Sequence, residues 1–102
     1  MAVNKDSGEI ISLEEAKQYI SAFRSRFPEE LHGYFVGSDK IQLILEQDGC
    51  VGIRIYNGYD EETQTKNVVL VGVDSNGNDM EDGIILEKLI ICPPYCSTGT
   101  GN

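Results

Sequence analysis

The chain has 102 residues, of which 17 are acidic and 8 are basic, so its formal net charge is −9. This length allows one hydrophobic core, and a hydrophobic content of 40% argues against a disordered chain. The negative charge repels the phosphates of nucleic acids and of anionic membranes, so we expect neither as a partner. No apolar run approaches the ~20 residues that span a bilayer.

The first nine residues are polar and lack the apolar middle region of a secretory signal, which predicts a cytoplasmic protein. We expect residues 1–11 to be a flexible leader, residues 12–96 to form a single domain and residues 97–102 to be a flexible tail. The chain has three cysteines, and an odd number in a cytoplasmic protein argues against a disulfide framework.

A capping box predicts the start of the first helix. Ser12 and Glu15 can each accept from a free backbone N–H there, and Pro28 disfavours helical geometry at the residue before it. We therefore expect a helix that begins after Ser12 and ends near Arg26. Apolar residues recur at spacings of three and four and predict one buried stripe: Leu13, Ala16, Ile20, Phe23 and Phe27.

The next segment predicts a second, shorter helix over residues 39–47, capped by Ser38 or Asp39. Residues 33–37 before it suit either a short strand or a buried loop. Gly49 suits the left-handed position that follows a helix end. The buried face of the helix would consist of Ile41, Ile44 and Leu45.

From Cys50 onward the pattern predicts three strands, over residues 50–56, 67–74 and 84–91. Residues 57–66 are polar and predict a loop. Short connections favour antiparallel neighbours, so the predicted fold is α+β, with two N-terminal helices packed on a three-stranded antiparallel β-meander. The third strand is apolar on both faces and would lie at the sheet edge, which predicts either a homodimer or cover by the tail.

Four segments of the chain resemble a group of small uncharacterised bacterial proteins. These segments are residues 49–56 (GCVGIRIY), 70–74 (LVGVD), 77–80 (GNDM) and 92–96 (CPPYC). The resemblance covers roughly residues 12–96 and implies a free-standing small protein. It implies no activity and transfers no functional residue.

Cys92 and Cys96 enclose Pro93, Pro94 and Tyr95, and three roles are open to them. They can pack structurally at a rigid strand exit, form a disulfide or redox pair, or bind zinc, whose sites accept this spacing. Thioredoxin-like chemistry favours two intervening residues and a helix N-terminus. Lys88 is the one basic residue within four positions of the pair. We therefore expect reduced thiols that react slowly, with bound zinc well below stoichiometric.

His32 and Cys50 would complete a four-ligand zinc set with that pair. In a three-stranded meander, however, the start of the first strand and the end of the third lie roughly 25 Å apart. We therefore expect Cys50 to act as a small buried hydrophobe. The candidate metal ligands are Cys92, Cys96 and His32.

The acidic turn over residues 74–83 opens like an EF-hand calcium loop, but Asp79 stands where the loop needs glycine and Ile85 where it needs glutamate. Its composition is also that of an ordinary hairpin turn. Gly52 and Gly72 lie inside apolar strands, which predicts either a bulge or a close approach by a helix, a ligand or a second chain, with helix packing favoured.

No catalytic motif occurs at the spacing that its chemistry needs. We therefore expect a non-enzymatic interaction module whose contact surface is the sheet face or the 57–66 loop, with a protein partner or a second copy bound there. The alternative is a metal-binding or redox-sensing protein that works through Cys92 and Cys96. A small enzyme with an acidic site is a third hypothesis.

Overall fold

A computed structural model describes residues 3–94 of the protein, which has an α+β fold. The described chain forms two compact units: residues 3–7 with Val36–Leu89, and Gly8–Phe35 with residues 90–94. The elements in chain order are α1 (Leu13–Arg26), β1 (Gly33–Phe35), α2 (Ser38–Leu45), β2 (Cys50–Asp60), β3 (Thr65–Asp74), β4 (Ile85–Leu86) and β5 (Ile90–Cys92).

Helix α1 begins and ends where the sequence predicts. The Ser12 side chain accepts a hydrogen bond from the backbone N–H of Glu15 at 3.0 Å, which satisfies one free donor of the first turn. The predicted burial of its apolar stripe is wrong, because Leu13, Phe23 and Phe27 are 58%, 43% and 49% exposed. The other two members are half-buried, and no residue of the helix is fully buried. Their rings contact each other with centroids 5.1 Å apart. The predicted packing of α1 on the three-stranded sheet stays a prediction, because α1 belongs to the other compact unit.

The same unit contains a small antiparallel ladder between β1 and β5, in which Gly33 pairs with Cys92 and Phe35 with Ile90. The sequence of residues 33–37 suited either a short strand or a buried loop. The structure forms a strand there, over Gly33–Phe35.

The larger unit is built on the hairpin of β2 and β3, which pair antiparallel from Cys50↔Asp74 to Asp60↔Thr65. The register shifts between Cys50 and Gly52, so Val51 is an extra residue that forms a bulge. The predicted loop over residues 57–66 is wrong, since the strands continue and only residues 61–64 connect them. Cross-strand pairing overrides the polar composition of this segment.

Helix α2 packs on the sheet at Gly72. Its N-cap is Gly37 rather than Ser38 or Asp39, and it ends at Leu45. Ile44 is fully buried, whereas Leu45, predicted to be buried, is 46% exposed. A Cβ on Gly72 would lie 3.2 Å from Ile44 Cγ2, so the glycine permits the close approach that its position in the strand predicts.

Gln47 completes this joint just after α2. Its Nε2 donates to the carbonyl of Ile44 at 3.0 Å, and its Oε1 accepts from the backbone N–H of Ile84 at 2.8 Å. The side chain passes beside Gly72 and Gly83, where any Cβ would collide with it. It therefore ties the end of α2 to the segment that leads into β4.

The predicted strand over residues 84–91 is wrong as a single element. Ile85 and Leu86 form β4 and pair with β3, whereas Ile90–Cys92 form β5 and pair with β1. Lys88 lies between them with φ of 61°, which no extended strand accommodates. The polar pair Glu87 and Lys88 marks the break in an otherwise apolar run.

The three-stranded sheet has the order β2-β3-β4, so the predicted antiparallel meander is confirmed over its shorter third strand. Its core lies on β3, where Leu70, Val71 and Val73 are buried. Within residues 3–94, no helix is long and apolar enough to cross a membrane.

Substituting Gly72 with alanine tests the packing joint. A Cβ there would meet Gln47 Nε2 at 2.8 Å and Cys50 Sγ at 3.2 Å, so Gly72→Ala should lower the free energy of unfolding by about 1–3 kcal/mol. The matched control is Gly52→Ala, because a Cβ at Gly52 meets nothing within 4 Å. Its effect should stay within about 0.5 kcal/mol. Urea denaturation measures the stability of both variants. Equal midpoints for the two would contradict the close packing of α2 against Gly72.

Candidate functional site

The structure places two of the predicted metal ligands side by side. The backbone N–H of His32 donates to the carbonyl of Cys92 at 2.7 Å, next to the Gly33↔Cys92 pair of the β1–β5 ladder. Cys92 is disulfide-bonded, and Cys96 lies outside the described residues. The expectation of a reduced thiol at Cys92 is therefore not met in this structure.

A disulfide sulfur is not a thiolate, and zinc binds the thiolate. In this oxidised form Cys92 is therefore no zinc ligand. The Nδ1 atom of His32 is buried without a hydrogen-bond partner among residues 3–94. Within that same range no three His, Cys, Asp or Glu side chains come together as a metal-binding group. A zinc site at His32, Cys92 and Cys96 stays a prediction for the reduced protein.

Cys50 is a free, half-buried cysteine in the other compact unit. Its thiol donates to the carbonyl of Gly52 at 3.2 Å and packs beside Gly72. This environment is that of a small hydrophobic side chain at a packing joint.

The acidic turn uses its first carboxylate to hold its own backbone. Asp74 Oδ1 accepts from the backbone N–H groups of Asn76 at 2.9 Å and Asn78 at 3.0 Å. Gly77 adopts a positive φ of 85° within the turn, which favours glycine. This arrangement is an Asx-type turn, and Asp74 is occupied in it.

Asp79, the next carboxylate of the turn, reaches back to β2. It forms an ion pair with Arg54 at 2.5 Å and accepts a short hydrogen bond from the hydroxyl of Tyr56. Arg54 also donates to the carbonyl of Gly77 at 3.3 Å. The hydrogen bond from Tyr56, with help from Arg54, lowers the pKa of Asp79, and the same bond to Asp79 raises the pKa of Tyr56. The cluster holds the turn against the sheet.

The feature best placed to contact a partner is the outer edge of β2. Strand β2 is 11 residues long and has β3 as its one neighbour in the described sheet. The carbonyl of Gly72 accepts from the N–H of Met80, so the backbone groups of Gly72 point away from β2. Ile53 pairs with Gly72, and its backbone groups therefore point away from β3. The same outward direction recurs at every second residue of β2: Ile53, Ile55, Asn57 and Tyr59.

The side chains along this edge are apolar and exposed on both faces of the sheet. Ile55 lies on the same face as α2 and is 64% exposed, and Tyr56 lies on the opposite face and is 45% exposed. Tyr59 is 53% exposed near the end of the strand. An extended segment along the edge would therefore find apolar surface above and below its own backbone.

A groove of about 380 Å³ adjoins the first part of the edge. The N-terminal segment forms one wall with Val3, and β2 forms another with Val51 and Arg54. Gly52 also lines it, and its missing side chain leaves open space there, because no atom lies within 4 Å of an added Cβ. Helix packing, the favoured expectation at Gly52, is therefore wrong, whereas the alternative, a bulge, occurs directly before it at Val51. The space is large enough for one incoming side chain.

Carboxylates lie at both ends of the edge. Glu46 and Asp48 precede β2, and Asp60, Glu61 and Glu62 end it or follow it. All except the half-buried Asp60 are exposed. The centre of the strand is neutral, since the charge of Arg54 is offset by Asp79.

Sequence reasoning missed half of this edge, because residues 57–60 look like a polar loop. The available signal was the spacing of Ile53, Ile55 and Tyr59, which continues the alternation of the first half of β2. Nothing in the sequence indicated that Gln47 links α2 to Ile84, because a glutamine after a helix is common on protein surfaces.

The Asp79 cluster makes stability depend on pH in a defined window. The pKa of Asp79 is lowered from its ordinary 3.8, so its stabilising contribution is present above that pH and is lost as pH falls through the lower folded-state value. The pKa of Tyr56 is raised from 10.0, so its contribution is lost as pH rises through the higher folded-state value. Asp79→Asn should therefore lower the melting temperature most between about pH 5 and pH 9, and less outside this range. Asp82→Asn, an exposed change in the same turn, is the control; a difference unchanged down to about pH 2 would contradict the cluster's role.

No family model, no curated protein and no solved structure matches the chain.

Proposed function

We propose that the protein is a non-enzymatic interaction module that binds an extended segment of a partner protein along the free edge of β2. The observation that carries this proposal is the 11-residue outer strand, whose alternate backbone groups point away from the sheet. Adding a strand to such an edge is a common mode of peptide recognition, in which backbone hydrogen bonds supply affinity and side-chain pockets supply specificity.

From Ile53 to Tyr59, the β2 edge lacks three devices that block strand addition: short length, proline and an internal bulge. Protected edges use these, edge charges such as lysine, or a covering helix or loop. Strand β2 contains neither lysine nor proline, and its bulge lies at Val51, before the outward-facing segment begins. The opposite side of the sheet offers a shorter edge, because β4 has two residues and pairs only with Leu70 and Val71. Residues 65–69 of β3 have no strand neighbour on that side in the described sheet.

The energetics of strand addition suit a reversible contact. Each outward residue from Ile53 to Tyr59 offers one donor and one acceptor, and a hydrogen bond adds about 0.5–1.5 kcal/mol net. Burial of the exposed part of Ile55 and of the tyrosine rings adds roughly 25 cal/mol per Å² of apolar surface. Ordering of a flexible partner offsets part of this gain.

Redox sensing through Cys92 is a second candidate function. The disulfide at Cys92 favours it over metal binding, because the bond shows one of the two states that a redox switch needs. Its test is a count of alkylated thiols across a glutathione redox series, with the free Cys50 as internal reference. Reversible protection of Cys92 near cytoplasmic potentials would support a switch, and a bond that persists under strong reduction would contradict it.

A lysine at Ile55 tests the edge. Selection from a displayed library of random peptides of the length of β2 provides the probe. Ile55→Lys should weaken binding of the enriched peptides by about tenfold or more, because it places a charge on the apolar surface that the added strand covers. Ile85→Lys is the matched control, since Ile85 is 51% exposed but lies on β4.

Amide hydrogen exchange gives a second readout. Bound peptide should protect the outward amides of Ile53, Ile55 and Asn57, because these N–H groups become hydrogen-bonded. A library that enriches nothing, or a bound peptide that leaves these amides unprotected, would contradict the proposed function.

A further inference from the structure

We infer that the occupant of the β2 edge is an extended peptide segment with an apolar, strand-forming centre and basic residues at both ends, rather than a second copy of this chain. The inference rests on the proposed function and deepens it, since it specifies the chemistry of the partner.

The first argument is the charge at the two ends of the edge. Glu46 and Asp48 lie at its start, and Asp60, Glu61 and Glu62 lie at its end. Between them the strand is neutral and apolar, because Arg54 is paired with Asp79. A complementary strand therefore carries its positive charges at its ends and none at its centre.

The same charges disfavour self-pairing along this edge. In an antiparallel pair of two β2 strands, Glu61 and Glu62 of one copy approach Glu46 and Asp48 of the other, at both ends of the interface. In a parallel pair, each carboxylate approaches its own counterpart. Both arrangements bring like charges together, and the carboxylates outnumber the nearby lysines. Lys66 pairs with Tyr59 at one end, and Lys5 lines the groove beside the first part of the strand. Each copy also carries a net charge of −9, which adds long-range repulsion.

The spacing of the charges sets the length of the partner segment. Strand β2 has 11 residues, which span roughly 35 Å at the rise of an extended chain. Two basic clusters separated by about ten residues would reach both acidic ends together. A shorter basic peptide would reach one end only and bind more weakly.

The groove beside Gly52 adds a side-chain preference near one end. It opens on the face of β2 that carries Arg54, and Val3 and Val51 line it. One side chain of the added strand would fill it, because the glycine leaves space. The lining is mixed, so a side chain with an apolar body and a polar tip suits it: three valines lie beside Asn4, Lys5, Ser7 and Arg54.

The test compares peptides with one core and different ends. A core that alternates valine and threonine carries two lysines, two glutamines or two glutamates at each end, and fluorescence anisotropy measures affinity. At about 50 mM salt the lysine-ended peptide should bind at least about tenfold more tightly than the glutamate-ended one. At about 0.5 M salt, where the Debye length is roughly 4 Å, that ratio should fall below about threefold.

Variants of the protein assign the effect to the edge. The double change Glu61→Gln and Glu62→Gln should reduce the lysine preference by about threefold or more. The control pair, Glu81→Gln and Asp82→Asn, removes the same charge from exposed positions of the acidic turn and should leave it unchanged. All four positions are surface residues, so the folded state should survive each change.

The outcomes separate the two proposals. Equal affinity for all three peptides, or tighter binding of the glutamate-ended one, would overturn the charge inference and leave edge binding intact. Failure of every peptide to bind or to protect the Ile55 amide would overturn both. A dimer seen by sedimentation, with Ile55 protection that rises with protein concentration, would show that the occupant is a second copy and would overturn the inference.

Discussion

The close approach of α2 to β3 at Gly72 is the contact on which the larger unit depends. Ile44 is buried there completely, and Gln47 extends past the same glycine to hold the backbone of Ile84. Any side chain at Gly72 would occupy space that Ile44, Gln47 and Cys50 already fill. One small residue in the middle strand therefore sets the distance of the helix from the sheet and the path of the chain into β4.

The packing contact at Gly72 also makes the two edges of the sheet different. On the β4 side of β3, backbone groups are engaged by Met80 and by a short strand that Gln47 secures. On the other side, β2 is long, apolar and bordered by carboxylates. Among the described strands, β2 thus presents the longest edge without a strand neighbour. The polar clusters elsewhere, at Asp74 and at Asp79, are occupied in holding the turn that follows β3.

The small ladder of β1 and β5 presents different chemistry. It places the backbone of His32 against Cys92, and Cys92 is oxidised. Oxidation removes a thiolate that zinc would need, so metal binding and disulfide formation at this cysteine exclude each other. A redox role at this ladder and peptide binding at β2 use separate residues, and each can be tested without disturbing the other.

The sequence by itself determined the elements whose signals are local. The N-cap at Ser12, the turn at Gly77 and the apolar patterns of β2 and β3 depend on residues close to one another in the chain, and all three occur in the structure. Only the tertiary structure decided where the apolar run 84–91 divides, because its halves pair with strands distant in sequence, β3 and β1. It also decided which glycine faces a helix. Gly52 and Gly72 have similar neighbours in sequence, and the placement of α2 on one face of β3 gives them opposite environments.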